Sequence, residues 1–582
     1  MSSLSSAVEI VSSLPPLLAI ILLLPHTLML LSALRTVFSL WQRVGLHGLY
    51  KRVAGTILST LSAAVPGVSG LVAKEVDKEL AGLEKSLLGD GDDDAILVMP
   101  ASGSPATTVA KRAMGLRGTD SYTTQHGKQW GGIYHHSESE LTELQGKVWA
   151  AFNTSNALYP QCFPSLRRIE AELVSMTVGI VHGHEAGAVG LLSSGGTESV
   201  LIAALAYREQ GRKKGITHPQ IVCGLSAHPA IVKACHYFGI ELLKAPVEAG
   251  SNKLRASAVK PLLTRNTVAI YASAPSFSFG CVDAIEELGE LATAHGCGLH
   301  VDNCLGGYLL SFMSKEGRFD TPWDFAVPGV TTMSIDLHKY GYASKGVSVV
   351  AFRDPELRRL TYVPTADGCE GLYVTPTLQG SRGGAVMAVA WATLLHMGED
   401  GYRKSANEIT DAHEAVKAAV RTIPGLSLCG DSTCAVVPLC GANGLNVYAF
   451  ATLMEQRGWG VFTGQKPATC SIPIGDHTPE LLPGLIKDLR ACAEYLTAHP
   501  EFKPSGNAAV YGAAASIPDA VLEAVLRGYI DVKLKVKPSD KALSAAGTVS
   551  AAGTAGTPKA KAASGASGNA KRRASKSPAP RR

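Results

Sequence analysis

Five short apolar runs between residues 221 and 352 constrain the fold of this chain more than any other feature. The runs are IVCGL at 221, TVAIYAS at 267, GLHVD at 298, TTMSID at 331 and VSVVAF at 347. Each run has the length of one strand, and a helical or turn segment separates it from the next. Apolar strands of this kind are typical of parallel sheets that helices cover on both faces. The sequence therefore predicts a layered α/β domain with a mostly parallel central sheet.

The segments between and around these runs predict helices and a second domain. Residues 165–181, SLRRIEAELVSMTVGIV, place apolar side chains at helical spacing, and residues 197–211, TESVLIAALAYREQG, predict another helix. Beyond residue 400 the pattern changes to helix, strands and helices. We predict a helical segment and linker at 61–150, a large domain at 151–400 and a smaller α/β domain at 401–537. An acidic run, GDGDDD at 89–94, predicts a linker or an exposed turn.

Composition narrows the classes of function. The chain has 582 residues, of which 46% are hydrophobic and 18% charged, so it can bury a large core. Part of its net charge of +5 lies in residues 538–582, a basic low-complexity tail that we predict to be disordered. The remainder is near neutral, which gives no indication of nucleic-acid binding. Twelve cysteines without a CxxC pair indicate a reduced compartment, not a disulfide framework or a metal site.

The N-terminus predicts a membrane anchor. Residues 14–34, LPPLLAIILLLPHTLMLLSAL, contain no formal charge over 21 positions, close to the roughly 20 residues that span a bilayer core. A signal peptide fits less well, because the first ten residues carry Glu9 and no basic residue. Basic residues follow the segment at Arg35, Arg43, Lys51 and Arg52. The positive-inside rule then puts the body in the cytosol, with residues 1–60 as a single-pass anchor and juxtamembrane segment.

Four sites fall at successive strand ends of one sheet, where open α/β sheets bind ligands. They are Gly195, Gly196 and Thr197 in SSGGTES, His228 after IVCGL, Asp302 after GLHV, and Lys339 in SIDLHKYGYASKG. A glycine turn at a helix start can hold a phosphate, and a carboxylate at the end of a buried strand requires a partner. Taken alone, each site has an ordinary alternative: a glycine turn, a structural histidine, a paired carboxylate or a surface lysine.

Together the four sites fit one ligand, pyridoxal phosphate. Its phosphate would lie on the loop of Gly195, Gly196 and Thr197, and His228 would stack on its ring. Asp302 would keep the ring nitrogen protonated, while Lys339 would form the Schiff base. We therefore predict Lys339, His228 and Asp302 as catalytic residues.

The motifs also carry a resemblance. SGGTES, SAH, HVDNCLGG and HKYGYASKG, in this order, resemble the group II pyridoxal-phosphate decarboxylase superfamily of fold type I, and within it the sphingosine-1-phosphate lyase family. The similarity extends to FPSLRRIEAELV and TPTLQGSRGG and covers residues 120 to 515 approximately. It implies a pyridoxal-phosphate-dependent retro-aldol cleavage of a phosphorylated long-chain base. A homodimer and a site in the endoplasmic reticulum membrane are implied as well.

The resemblance also assigns individual residues. Lys339 matches the family's Schiff-base lysine, and the adjacent His338 belongs to the cofactor site. Lys345 and Tyr134 match residues that bind the substrate's phosphate. Tyr159, in SNALYP, stands where the family has a histidine, so it is predicted to contact substrate as a hydrogen-bond donor without positive charge.

Other functions remain open at this point. An amino-acid decarboxylase of the same superfamily would use Lys339 and Asp302 equally well. From a different class, the chain could be a membrane scaffold with a vestigial cofactor site, or a module that binds anionic lipid through its basic tail. The chain-length preference and the general base are not indicated by the sequence.

Overall fold

The computed structural model describes residues 68–92, 95–120, 128, 132–135, 140–369, 371–514 and 519–539. The predicted membrane segment at 14–34, the juxtamembrane stretch to residue 60 and all but the first two residues of the C-terminal tail lie outside this part of the chain. In the part described, no helix has both the length and the apolar character that a bilayer crossing requires. Described residues between 104 and 518 form one compact unit, and those before 104 and after 518 form a second.

The strands are β1 (Val189–Ser193), β2 (Gln220–Gly224), β3 (Glu241–Ala245), β4 (Thr267–Ser273), β5 (Gly298–Asp302), β6 (Thr332–Asp336), β7 (Ser348–Phe352), β8 (Thr365–Gly368), β9 (Gly371–Tyr373), β10 (Leu426–Leu428), β11 (Val436–Gly441), β12 (Phe462–Gln465) and β13 (Ala468–Pro473). The helices are α1 (Val68–Leu88), α2 (Ala106–Arg117), α3 (Glu140–Phe152), α4 (Pro164–Gly179), α5 (Gly196–Lys213), α6 (Ala230–Phe238), α7 (Ala256–Val259), α8 (Ile285–His295), α9 (Gly307–Lys315), α10 (Pro355–Arg359), α11 (Gly384–Val420), α12 (Val447–Gln456), α13 (Thr478–Ala498), α14 (Gly506–Ala514) and α15 (Asp519–Lys533), with a 3₁₀ turn at Lys260–Leu262.

A seven-stranded sheet forms the centre of the larger unit. Its strand order is β1-β7-β6-β5-β4-β2-β3, and all its strands are parallel except β7, which pairs antiparallel with β1 and β6. The predicted mostly parallel α/β sheet is confirmed. The five apolar runs are β2, β4, β5, β6 and β7. β7 reverses because the connection from β6 is too short for the crossover that a parallel neighbour requires.

Helices cover both faces of this sheet, as its apolar strands require. On one face, side chains of α5 and α6 pack in a single cluster with apolar residues of β1, β2, β4 and β7. On the other face, α4, α8, α9 and α11 pack with residues of the same sheet. Every residue of β4, β5, β6 and β7 is buried as a result. The predicted helices at 165–181 and 197–211 correspond to α4 and α5.

A second sheet follows in the same unit. It is antiparallel, with the order β10-β11-β13-β12, and α11, α12 and α14 contact its strands. The predicted domain boundary at residues 400 and 401 falls inside α11, which bends at Gly398, where φ is 56° and ψ is 178°. The division into domains at 150, 400 and 537 stays a prediction.

The second unit is a pair of helices from distant parts of the chain. α1 packs against α15, with Leu80 lying against Gly528. The Lys535 ammonium lies 2.7 Å from a Glu84 carboxylate oxygen across the pair. A turn at Gly89 and Asp90 ends α1, where the acidic run begins. Of the described part of this run, Gly89 and Asp90 form the turn and Asp92 forms a β-bridge with Pro538.

Candidate active site

One cavity lies at the carboxyl ends of the parallel strands. Its volume is about 340 Å³, within the range of small-molecule sites. The seven residues predicted to hold the cofactor all line it: Gly195, Gly196, Thr197, His228, Asp302, His338 and Lys339. The sheet brings them together because β1, β2, β5 and β6 end at the same edge. Their individual roles stay predictions, whereas their convergence is a property of the fold.

The glycine turn joins the end of β1 to the start of α5. Gly195 has φ 153°, a value that favours glycine, and a Cβ at Gly196 would lie 2.5 Å from the Cys304 thiol. The first backbone N–H groups of a helix have no partner within it, so this turn presents donors to the cavity. Glu198 fixes its shape: one carboxylate oxygen accepts the Ser194 N–H at 2.6 Å and the other accepts the Leu378 N–H at 3.1 Å.

His228 lies between β2 and α6, on the wall of the cavity. Its Nδ1 accepts the Ala230 N–H at 3.2 Å, so the proton of the neutral ring is on Nε2. The Phe277 ring meets it edge to face, with centroids 6.0 Å apart. Burial lowers the pKa of His228 despite the attraction of Asp302, which keeps the ring neutral at physiological pH.

Asp302 ends β5 and is almost fully buried, at 7% exposure. Its carboxylate accepts the Ser334 hydroxyl at 3.1 Å, the Cys304 N–H at 3.0 Å and the Tyr271 hydroxyl. Burial alone would oppose ionisation, but the attraction of His228 and the hydrogen bond from Tyr271 outweigh it and lower the pKa of Asp302 to about 2. The carboxylate is therefore ionised at neutral pH and can pair with a cation in the cavity.

Lys339 lies in the turn that follows β6. Its ammonium is 3.0 Å from a carboxylate oxygen of Asp336, the last residue of that strand. Burial opposes the positive charge, but Asp336 outweighs it and raises the pKa of Lys339 above its usual value. The neighbouring His338 has its Nδ1 2.7 Å from the Val347 carbonyl oxygen and its Nε2 3.5 Å from Asp336.

The residues predicted to bind the substrate separate into two groups. The Lys345 ammonium lies 4.6 Å above the Tyr134 ring and donates to the His338 carbonyl oxygen at 2.8 Å. Lys345 and Tyr134 are therefore both beside the turn that carries Lys339, the lysine turn. Tyr159 is 53% exposed and does not line the cavity of its own chain. Its loop is tied through Asn156 to the backbone of Arg382. Contact of Tyr159 with substrate stays a prediction.

Comparisons with known proteins identify the family. Residues 133–439 match the pyridoxal-dependent decarboxylase conserved domain. Sphingosine-1-phosphate lyase 1 of Rattus norvegicus is 35% identical over 456 residues, which cover 77% of this chain and 79% of the rat protein. Sphingosine-1-phosphate lyase of Saccharomyces cerevisiae is 34% identical over 483 residues, or 82% of each chain. The chain belongs to the sphingosine-1-phosphate lyase family.

Solved structures agree with this placement in the sphingosine-1-phosphate lyase family. The lyase of Burkholderia pseudomallei K96243 aligns with a TM-score of 0.69 and 32% identity, over 76% of this chain and 98% of that one. Glutamate decarboxylase of Lactobacillus brevis aligns with a TM-score of 0.60 at 20% identity, which shows a common fold and nothing more.

The cavity fits pyridoxal phosphate, the cofactor of this pyridoxal-dependent family. The glycine turn offers backbone donors without a side chain in the way, and Asp302 is ionised where a cationic ring nitrogen requires an anion. Lys339 presents the only lysine amine among the described residues that line the cavity. The donor set therefore suits a phosphate, a pyridine nitrogen and an aldehyde carbon.

Three residues of the site were not predicted from the sequence: Asp336, Tyr271 and Glu198. Asp336 could have been found, because it ends a buried strand as Asp302 does and a carboxylate there needs a cationic partner. Tyr271 lies within a fully buried strand and gives no local signal. The contacts of Glu198 with Ser194 and Leu378 join segments 180 residues apart, which the sequence does not indicate.

Proposed function

We propose that this chain is a pyridoxal-phosphate-dependent carbon–carbon lyase. Its substrates are phosphorylated sphingoid bases, such as sphingosine 1-phosphate, and its products are a long-chain aldehyde and phosphoethanolamine. The observation that carries the proposal is the convergence of Lys339, Asp302 and the glycine turn on one cavity, in a chain of this family. When bound, the cofactor supplies an electron-accepting ring that stabilises the charge left by the broken carbon–carbon bond.

Each cofactor-site residue has a task that follows from its chemistry. Lys339 would provide the amine that holds the cofactor through its aldehyde carbon and that a substrate amine would displace. Asp302, held ionised by its surroundings, would keep the ring nitrogen protonated. Neutral His228 offers a flat ring face, and the turn from Gly195 to Thr197 binds the phosphate through backbone N–H groups.

Lys345 and Tyr134 provide the substrate side of the proposal. The Lys345 ammonium is near the Lys339 turn and has the charge that a substrate phosphate requires. The Tyr134 ring, buried beneath it, holds the ammonium in place by a cation–π contact. An amino-acid substrate has no phosphate for this pair to bind, so the pair favours the lyase over a decarboxylase.

Product analysis of the purified chain tests the function. Incubation with a phosphorylated long-chain base should yield the aldehyde and phosphoethanolamine in equal amounts, detected by mass spectrometry. Glutamate and tyrosine should yield no carbon dioxide under the same conditions. Release of carbon dioxide from an amino acid, with no aldehyde from the lipid, would instead identify a decarboxylase.

We propose further that residues 14–34 anchor the enzyme in the endoplasmic reticulum membrane, with the body in the cytosol. A phosphorylated lipid partitions into the bilayer, so a tethered enzyme meets it at high local concentration. Deleting residues 1–60 should raise the KM for vesicle-borne substrate and leave the KM for a short-chain soluble analogue unchanged. Equal changes in the two KM values would contradict a role of the anchor in delivery.

A homodimer is the third part of the proposal. The segment before α11 exposes large apolar side chains, with Leu372 at 87% and Leu378 at 53% exposure, and the resemblance of TPTLQGSRGG to the family supports a subunit interface at this loop. Sedimentation of the detergent-solubilised chain should give twice the monomer mass at the concentration of the assay. A fully active monomer at that concentration would contradict the dimer.

A further inference from the structure

Asp336 is a carboxylate that the cofactor site does not account for. It is the last residue of β6, 3% exposed, and it lies three residues before Lys339. Its Oδ2 is 3.0 Å from the Lys339 ammonium and 3.5 Å from His338 Nε2. A buried carboxylate is strongly unfavourable unless a cation or several donors compensate it. Lys339 is the cation closest to it among the described residues.

The other oxygen of Asp336 is unusual. Within the part of the chain that the structure describes, Oδ1 is buried and accepts no hydrogen bond. A Cβ at Gly196 would lie 2.9 Å from this oxygen, so a glycine is needed for the turn to pass beside the carboxylate. Asp336 is thus held against the start of α5, whose dipole favours an anion. Its charge is therefore stabilised chiefly by that dipole and by Lys339.

Asp302 does not take this role, although it lines the same cavity. Its two oxygens are already occupied by Tyr271, Ser334 and Cys304. It also lies beyond ion-pair distance of Lys339, with which the structure shows only a longer-range attraction. The two carboxylates are therefore distinct, and the one in direct contact with the lysine is Asp336.

The charges around Lys339 come from several elements. Those that face it are Asp336, His338 and Lys345 from β6 and the following turn, Asp302 and Cys304 from the end of β5, His228 from the loop before α6, and Tyr134 from the segment before α3. Burial keeps both histidines neutral, and Cys304 and Tyr134 are protonated thiol and phenol groups at neutral pH. The charged groups at Lys339 are therefore two carboxylates, Asp302 and Asp336, and two lysines, Lys339 and Lys345. If Lys339 loses its proton, Asp336 loses its counter-ion.

We propose that Asp336 is a positioning residue that holds Lys339 as an ammonium at the cavity wall whenever this amine is not covalently engaged, and so governs how readily the amine exchanges. The inference rests on the proposed function, because exchange of Lys339 with a substrate amine is part of that reaction. It assigns to Asp336 a task that is separate from that of Asp302.

The chemistry of the exchange explains why this control matters. An ammonium has no lone pair, so Lys339 must first release one proton before its nitrogen can attack the carbon that carries the outgoing amine. A carbon–nitrogen bond to Lys339 would then form, the bond to the outgoing amine would break, and a proton would pass from the lysine nitrogen to that leaving amine. Asp336 opposes the first step by stabilising the ammonium, and it favours return of the proton after lysine is displaced. Lys339 is thereby kept protonated, with its ammonium at the cavity wall, while it has no covalent bond to the cofactor.

Competitive labelling of the cofactor-free full chain tests the inference without any assay of activity. The cofactor is removed with hydroxylamine, trace acetic anhydride is applied at a series of pH values, and labelled peptides are quantified by mass spectrometry. Lys213, exposed on α5, serves as the reference amine in the same digest. In the unmodified chain, labelling of Lys339 should begin at a higher pH than labelling of Lys213.

Asp336→Asn should lower the midpoint of Lys339 labelling by at least about one pH unit, which corresponds to about tenfold more labelling near pH 8. The matched control is Asp324→Asn, which neutralises another buried carboxylate, one that pairs with His182 and does not line the cavity. It should leave the Lys339 midpoint unchanged.

Three results would overturn the inference. They are an unchanged midpoint in Asp336→Asn, an equal shift in Asp324→Asn, and labelling of Lys339 that follows Lys213 in the unmodified chain. The last measurement needs no variant, so the inference can be refuted even if Asp336→Asn does not fold. Loss of the proposed lyase function would appear instead in the product assay, with the labelling profile intact.

Discussion

A single amine at Lys339 carries the covalent part of the proposed chemistry. Replacing it in Lys339→Ala removes the bond to the cofactor, so both the visible absorbance of the bound cofactor and turnover should disappear. Lys213→Ala, on the exposed side of α5, removes a lysine without touching the cavity and should retain both. Absorbance spectra of the two purified variants decide the matter, and a visible band that persists in Lys339→Ala would refute the assignment.

Lys345 should give the reaction its pH dependence on the alkaline side. Partial burial and repulsion from Lys339 lower the pKa of Lys345 to about 8. Because only the protonated amine attracts a phosphate, the KM for the substrate should rise as the pH increases through this value.

Arginine keeps its charge to a pH above about 12, so Lys345→Arg should show a flat KM over the same interval. Initial rates between about pH 7 and pH 9.5 measure both profiles. In this range the substrate phosphate has already lost its second proton, so its charge stays constant. A rise of equal size in the two proteins would exclude Lys345 as its origin.

Residues at strand ends were predictable, and their partners within the sheet were not. His228, Asp302 and Lys339 stand out because a polar group at the end of an apolar run, or within three residues after it, has to face a ligand or a partner. Tyr271 and Ser334, whose hydroxyls donate to Asp302, lie inside strands whose every residue is buried. Their contacts with Asp302 depend on the register of β4, β5 and β6, which a sequence does not state.

At the scale of elements, the junction of β1 and α5 depends on the absence of a side chain at Gly196. In Gly196→Ala the new methyl group would meet Cys304 at 2.5 Å and both Asp336 oxygens at 2.9 Å, so the turn must shift. The backbone donors of the turn would then no longer point at one phosphate. We expect cofactor affinity to fall by at least about tenfold, since two backbone hydrogen bonds contribute about 1 kcal/mol each.

The matched control is Gly146→Ala in α3, where nothing lies within 4 Å of the added methyl group. Because alanine is the better residue inside a helix, this variant should bind the cofactor normally and gain about 0.5–1 kcal/mol in the free energy of unfolding. Titration of cofactor-free protein, followed by absorbance, measures both affinities. Equal affinities for the two variants would show that the turn tolerates a side chain.

Tyr340 connects the lysine turn to the second sheet. Its hydroxyl donates to the carbonyl oxygens of Ile474, at 2.5 Å, and Ala435, at 3.3 Å. Tyr340→Phe leaves the buried Ile474 carbonyl without this donor, so the free energy of unfolding should decrease by about 1–3 kcal/mol. Tyr237→Phe, on the exposed side of α6, should change it by less than about 0.5 kcal/mol. Urea unfolding measures both, and equal stabilities would disprove the connection.

Buried strands were easier to predict than edge strands. β4 and β5 have the bounds of their apolar runs, because burial on both faces favours apolar residues. β3 was missed because it lies at the edge of the sheet, and exposed Glu241 and Lys244 interrupt its apolar pattern. β1 was missed because its short run continues directly into the glycine turn. The start of α11 was also missed, since the predicted helix began some twenty residues later than Gly384.

At the scale of the whole molecule, the helix pair of α1 and α15 contributes no residue to the lining of the cavity. Gly528→Val would place a side chain where a Cβ alone lies 2.5 Å from Leu80, so the pair should open. Limited proteolysis should then cut residues 519–539 faster than in the unmodified chain. Turnover of a short-chain soluble substrate should not change, because no residue of this pair lines the cavity. Loss of that turnover in a variant whose larger unit is still folded would show that the pair supports the active site.

The packing of α1 on α15 has a consequence for how the protein is made. Glu84 and Lys535 are 451 residues apart, so a ribosome adding about 5–20 residues per second needs roughly 20 to 90 seconds between them. During this interval α1 has left the exit tunnel while its partner does not yet exist. A premature stop before Asp519 would leave that helix permanently unmatched, which gives chaperones and proteases a feature that distinguishes an unfinished chain from a complete one.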